Sequence, residues 1–443
     1  MMTLTTTQLQ TAALDRILLF LAALVVLVDW LNGLLWHTVG QSYHLAALFK
    51  ALLLAGFSIR GWQLCRESLY APFGLMCLML LGPVYVMLLK GHNGLWQDIQ
   101  LIAKVGALLT ALAYFSVLAK RDPERFAQWL DRFVLGSYLL LLLNFCVGLA
   151  GYGGTAYQPM EEVSQKFLGI KGFFISTNEL SALLLVLSCW LLMRSWQVKR
   201  WCYPIIAAST LLMAALMLTK TGLFGSLLLI CFIPLLLTST HHYRSIYQQY
   251  RRAIVAAGIL LCALLLLLIC NFQALLQWVG LYDKLVFSYQ QRGLAGIILS
   301  SRDFYLVRNF TTVSEHYPEW LHLFGVGQSG VQLLLKKYFI ELDLFDLLLF
   351  YGLAGALLFA LSFWRIILLT IRQLAISKAA APVLLLNIIL LLVSLLAGHV
   401  LTSGMLWLPW ALINVGVLAQ GLHPLPNQAN SAANTSLLAG TKS

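Results

Sequence analysis

Apolar runs of about twenty residues recur along this sequence, and nothing else constrains its fold as strongly. A helix of that length matches the ~30 Å hydrocarbon layer of a bilayer, and inside that layer only helices and closed barrels satisfy every backbone N–H and C=O. The runs fall at residues 16–36, 43–59, 70–89, 95–119, 131–151, 174–194, 201–218, 222–237, 251–271, 343–369, 380–400 and 404–421. An all-α polytopic membrane protein of about 12 transmembrane helices is therefore predicted, its seventh and eighth helices separated only by residues 218–221. Of the 443 residues, 60% are hydrophobic and 10% charged, and the mean hydropathy of +0.83 excludes an ordinary soluble enzyme.

The formal net charge of +12 would suit a nucleic-acid partner, but the basic residues sit in short clusters between apolar runs. With the N-terminus in the cytoplasm, Arg60 and Arg66, then Lys120, Arg121, Arg125 and Arg132, then Arg194, Lys199 and Arg200, then Arg244, Arg251 and Arg252, and finally Arg365, Arg372 and Lys378 all fall on the cytoplasmic side. That is the positive-inside pattern, so no nucleic acid is expected and both termini are predicted to be cytoplasmic. The eight cysteines (65, 77, 146, 189, 202, 231, 262 and 270) form no C-x-x-C pair and read as small core hydrophobes. The first apolar run has full span length and no small-residue cleavage site, so it is expected to stay as the first span. Residues 1–421 thus read as one integral membrane domain with a single large external loop at about 272–341, and residues 422–443, rich in Asn, Ala, Ser and Pro, read as a disordered cytoplasmic tail.

Topology does not account for every charge. On the external side remain Lys171, Lys220, Arg292, Arg302, Arg308 and His399, together with Glu341, Asp343 and Asp346, where the polar stretch 300–340 runs into an apolar helix. Each has a bland reading. Lysine and arginine at helix ends snorkel, and Glu341 at a helix start is favoured by the dipole. Asp343 and Asp346, three apart on one helix face, have Lys336 and Lys337 as candidate partners. His241 and His242, adjacent in a cytoplasmic loop, read as a solvated face. The functional reading rests on convergence, because separate loops deliver cations and acids to one side of one bundle, and ionisable groups at membrane depth usually face a cavity. Guanidinium and ammonium groups suit a diphosphate, and a nearby carboxylate or imidazole suits proton removal from an attacking hydroxyl. Together they fit glycosyl transfer from a lipid diphosphate sugar, with no cofactor and no metal-ligand motif in view.

Four stretches carry a resemblance: GIKGFFISTNELSALLL, LTKTGLFGSLLL, SSRDFYLVRNF followed by FGVGQSG, and ELDLFDLLLFYGLAG, with LAGHVLTSG before the last span. Over residues 169–416 the chain resembles the O-antigen ligase and polymerase superfamily of bacterial membrane glycosyltransferases. The resemblance implies a GT-C-like membrane fold whose external loop bears short helices. It places Lys220 where ligases commonly have arginine, and Arg302 at the second essential arginine. At the position of the ligase histidine, eleven residues before Gly352, this chain has Glu341. That departure looks more like repeat-unit polymerases of surface polysaccharide pathways. The implied reaction moves a growing chain from undecaprenyl diphosphate onto the next lipid-linked repeat at the periplasmic face of the inner membrane. Arg302, Lys220 and Lys171 would grip the diphosphate, and Glu341, or secondarily His399, would act as general base. Asp343, Asp346, Asn178 and Glu179 would shape the acceptor-sugar pocket. A flippase and a chain-length regulator are the implied protein partners. An O-antigen ligase is the alternative within the resemblance. A twelve-span transporter is the alternative outside it, opposed by the absence of an internal repeat and of midplane charges in the two halves.

Overall fold

The computed structural model describes residues 6–41, 44–91, 93–157, 168–238 and 302–422, with residues 286, 289, 290, 293, 299 and 300 between them. The expected span at 251–271, Arg292 and the tail beyond residue 422 lie outside the described residues. Fourteen α-helices are described: α1 Thr6–Ala23, α2 Val25–Val39, α3 Leu45–Met79, α4 Leu81–Lys90, α5 Leu95–Arg121, α6 Pro123–Leu149, α7 Thr177–Val198, α8 Tyr203–Met217, α9 Lys220–Leu237, α10 Arg302–His316, α11 Gly327–Leu334, α12 Asp343–Arg372, α13 Ala380–Leu396 and α14 Trp407–Leu422. Seven helical stretches among the described residues are long and apolar enough to cross a membrane, or eight if α1 and α2, bent by 46° at their junction, form one broken span. One of the seven, Leu45–Lys90, runs through 46 residues, about 69 Å of helix at 1.5 Å per residue. It breaks at Cys65, whose φ of −156° and ψ of 44° are non-helical, and each part on either side is long enough to span. The molecule is thus a helical, polytopic membrane protein.

Local sequence sets the helix ends. Asp122 caps α6, its carboxylate accepting from the Arg125 amide at 3.2 Å, with Pro123 at the first helical position. Ser176 caps α7 and Thr219 caps α9. Between α8 and α9, Leu218 takes a left-handed φ of 54°, which is unfavourable for a branched side chain and lets two helices reverse within two residues. Helices alone were expected, yet Gly154–Thr155 (β1) pairs antiparallel with Ile170–Gly172 (β2). This small hairpin lies over the end of the bundle that carries the site.

α7 is buried around most of its circumference from Leu180 to Met193, and α14 is buried almost throughout from Trp407 to Val417. A helix apolar on all sides belongs in the middle of such a bundle. With lipid as apolar as leucine, packing and interhelical hydrogen bonds hold the helices together, each bond contributing only about 0.6 kcal/mol. Asn387 of α13 donates to Asn414 of α14 at 2.7 Å and accepts from Trp410 Nε1 at 2.8 Å. At one end of the bundle, Arg60 of α3 makes a two-pronged contact with Asp15 of α1 at 2.9 and 3.0 Å, and Tyr114 of α5 donates to the same carboxylate at 3.1 Å. Because successive helices run in opposite directions through short connections, the C-terminal ends of α2, α4, α6 and α8 meet the N-terminal ends of α5, α7, α9 and α14 at the other end.

Candidate active site

Arg302, the first residue of α10, and Glu341, two residues before α12, stand 39 positions apart in sequence and meet in space. Arg302 Nη2 donates to Glu341 Oε2 at 2.9 Å, and the two side chains are 12% and 28% exposed. Arg302 Nη1 reaches the Leu299 carbonyl at 3.4 Å, while its Nε is buried with no hydrogen-bond partner among the described residues. Lys337 contributes a second cation, its Nζ 3.4 Å from Glu341 Oε1 and 4.1 Å from the centre of the Tyr305 ring. Arg308 fixes this arrangement by donating to the Lys337 carbonyl at 2.6 Å and stacking over Tyr305 at 4.8 Å. Lys220, at the start of α9, donates to Ser300 Oγ at 3.2 Å, two residues from Arg302. Tyr157, just after β1, donates to the Leu218 carbonyl at 3.1 Å. Burial raises its phenol pKa, and the charge of Arg302 offsets part of that rise.

Glu341 itself is strained, with a left-handed φ of 67°, a conformation that persists only where the surroundings enforce it. Asp346 enforces it: one carboxylate oxygen accepts from the Ile340 amide at 2.7 Å and the other from the Glu341 and Leu342 amides at 3.0 and 3.2 Å. Burial pushes the Glu341 carboxyl up, but Arg302, Lys337 and His399 outweigh it and hold its pKa below the usual glutamate range. His399 is on the non-helical segment between α13 and α14, also at positive φ (59°), with its ring 6.0 Å from that of Phe339.

Asp343 and Asp346 were expected to contact acceptor sugar or to pair with Lys336 and Lys337, and the structure gives them other work. Asp343 is fully buried and accepts from Ser394 Oγ, from the amides of His399, Val400 and Leu401, and from Thr402 Oγ1, at 2.7 to 2.9 Å. Asp346, 1% exposed, is taken up by the three amides around Glu341. Among the described residues neither carboxylate pairs with a lysine, and Lys337 pairs with Glu341 instead. Both aspartates are buried braces that shape the segments carrying Glu341 and His399.

Three other expected site residues stand apart from the Arg302–Glu341 pair. Lys171, on β2, donates to the Ile175 carbonyl at 3.2 Å, and its pKa is lowered by burial. A side chain on Gly154 would touch both Lys171 and His37, so those two residues flank the same spot. Glu179, in the first turn of α7, accepts from Ser403 Oγ at 2.5 Å and from the Met405 amide at 3.3 Å. Asn178 is half-buried beside it and makes no side-chain hydrogen bond among the described residues.

Glu179 belongs to a second polar cluster that sequence reasoning missed. Asp29 of α2, buried, forms an ion pair with Lys50 of α3, is within electrostatic range of Glu179, and keeps its Oδ2 without a partner among the described residues. Lys104 of α5 comes to the same place, since a Cβ on Gly404 would be 3.7 Å from Lys104 Cε and 4.0 Å from Lys50 Nζ. The available signal was a single ionisable residue inside each of three apolar runs, VVLVDWLNG, LAALFKALLL and QLIAKVGALL, an expensive placement that marks function by default. A loop-centred survey of charge passes over such residues.

The site therefore offers a carboxylate held ionised among cations, a partly unsatisfied guanidinium and a second ammonium nearby. That set can receive a proton and hold a doubly charged leaving group. Compared with known proteins, the sequence matches no family model and no curated protein.

Proposed function

We propose that this chain is a membrane glycosyltransferase that moves a glycan from undecaprenyl diphosphate onto a hydroxyl of a second lipid-linked repeat unit, acting as a polysaccharide polymerase. The observation that carries the reading is the 2.9 Å contact between Arg302 and Glu341, two residues brought together at one end of the bundle beside Lys220 and Ser300. In a carrier such groups would gather near the bilayer midplane, and their place at one end of the bundle supports an enzyme. The acceptor hydroxyl attacks the anomeric carbon, the new C–O bond forms as the bond to the diphosphate oxygen breaks, and the hydroxyl proton passes to the Glu341 carboxylate. Arg302 and Lys220 take up the charge on the departing diphosphate, and His399 stands beside Glu341 as a secondary proton acceptor.

In this reading twelve spans cross the cytoplasmic membrane, both termini face the cytoplasm, and the site opens to the periplasm, where a flippase delivers substrate and a chain-length regulator sets polymer size. Deleting the gene in a host that makes a surface polysaccharide is expected to abolish the ladder of chain lengths on a gel while single repeats still form. Long polymer retained on its lipid carrier would instead make the protein a ligase.

A further inference from the structure

The Arg302–Glu341 site provides cations for one diphosphate, whereas the proposed reaction brings two lipid diphosphates together. The inference drawn here rests on that reading and deepens it. Lys104 lies nine residues into α5, roughly 14 Å along the helix, within an apolar run. It forms no ion pair or hydrogen bond among the described residues, and its stem runs to Gly404 on the non-helical segment that joins α13 to α14. Lys50 approaches the same glycine from α3. Here the stem of Lys104 and the ammonium of Lys50, from different helices, approach the same position with no side chain, which brings their two charges into one neighbourhood.

The acidic side of the cluster has a matching gap. Asp29 is 7% exposed, and its Oδ1 is taken by Lys50, yet its Oδ2 is buried and lacks a donor among the described residues. A buried carboxylate oxygen without a donor is costly and calls for a hydroxyl or N–H from a ligand. Glu179 and Ser403 close the cluster on the α7 side at 2.5 Å. Ammonium groups for phosphate and a carboxylate oxygen for a hydroxyl together describe a glycosyl diphosphate. The same non-helical segment links the two sites, with His399 at one end beside Glu341 and Ser403 at the other beside Glu179.

We infer that Lys50, Lys104 and Asp29 form a second headgroup site that holds the glycosyl diphosphate of the acceptor lipid while Arg302 and Lys220 hold that of the donor. The test is binding stoichiometry on the full chain in phosphatidylcholine nanodiscs, with radiolabelled undecaprenyl diphosphate carrying one N-acetylglucosamine as the probe. The wild type is expected to bind two probe molecules per chain, Lys104→Met one, and Lys104→Arg two again. Lys104 is exposed and unpaired among the described residues, so its replacement leaves the packing intact, and an unchanged thermal midpoint checks this. Lys104→Met binding as much probe as the wild type would overturn the site. So would displacement of the Lys104-dependent probe by phosphatidylglycerol, which would make it a site for ordinary anionic lipid. Arg302→Ala is expected to remove the other molecule. If Arg302→Ala still binds two while Lys104→Met binds one, the donor assignment fails and the second site stands.

Discussion

Arg302 and Glu341 share one ion pair, but their replacements should differ. Arg302→Ala is expected to lower polymer formation by at least about 10²-fold, with membrane abundance measured alongside because the side chain is only 12% exposed. Full activity in that variant removes Arg302 from the site. Glu341→Gln keeps the shape and removes the proton acceptor, with an expected loss of about 10²- to 10⁴-fold in kcat. Since Arg302 and Lys337 hold the Glu341 carboxyl below its ordinary value, the ionised pair is complete above that ordinary value and is lost only as pH falls through the lower folded one. The acid limb of the rate profile should therefore lie below the usual glutamate range, and Lys337→Met should move it upward. A limb unmoved by Lys337→Met would mean that another group governs it. Asp343 belongs to a different class of residue. Asp343→Ala orphans the buried amides of His399, Val400 and Leu401, a loss of roughly 3 kcal/mol or more at about 1–3 kcal/mol for each. A thermal midpoint in detergent equal to the wild type would contradict that bracing role.

At the level of elements, the site depends on two breaks in helical structure. α12 is interrupted at Tyr351 and Gly352, and Gly352 has φ 56° and ψ −145°, a combination essentially confined to glycine. The break lets the turn at residues 323–325 press against the helix, where a Cβ on Gly352 would strike the Leu323 carbonyl. A glycine that the resemblance uses only as a counting mark is thus the joint between α12 and the short helices that carry Arg302. Gly352→Ala is expected to destabilise the fold by about 1–3 kcal/mol from the backbone alone, with the clash in addition, measured as a lowered unfolding temperature and lowered membrane abundance. The second break is the segment between α13 and α14. Gly398 approaches the Glu341 carbonyl so closely that a side chain there would collide with it, and Asp343 holds the next turn from beneath. Glu341 and His399 are therefore tied to the same segment.

For the molecule as a whole, the distribution of charge makes a topological claim that can be checked directly. In a chain with its eight cysteines replaced, a cysteine at Val307 on α10, which is exposed, should react in intact cells with a membrane-impermeant maleimide. A cysteine at Arg125, at the start of α6 and on the opposite end of the bundle, should react only after permeabilisation. The reverse pattern would invert the topology and place the Arg302–Glu341 site on the cytoplasmic side.

Hydropathy alone determined that the chain is a bundle of membrane helices and roughly where most of them lie, because a bilayer leaves a twenty-residue apolar run no alternative that satisfies its backbone. Residue type was enough to set Arg302, Glu341 and Lys220 among the charges left over once topology is accounted for, and the resemblance singled them out from that larger list. What sequence could not assign is which charges face a ligand and which brace the fold. Asp343 and Asp346 have the same type, spacing and helix position as a functional pair, and only the amides arriving at their carboxylates, from residues 399–401 at Asp343 and from the adjoining residues 340–342 at Asp346, show them to be braces. Asp29, Lys50 and Lys104 sit in three separate apolar runs, and only helix packing pairs Asp29 with Lys50 and brings Lys50 and Lys104 to one glycine. The physical reason is the same in both cases. A charge in an apolar helix carries a desolvation cost that is local and legible, whereas the partner that offsets it comes from another part of the chain and is fixed only when the helices pack.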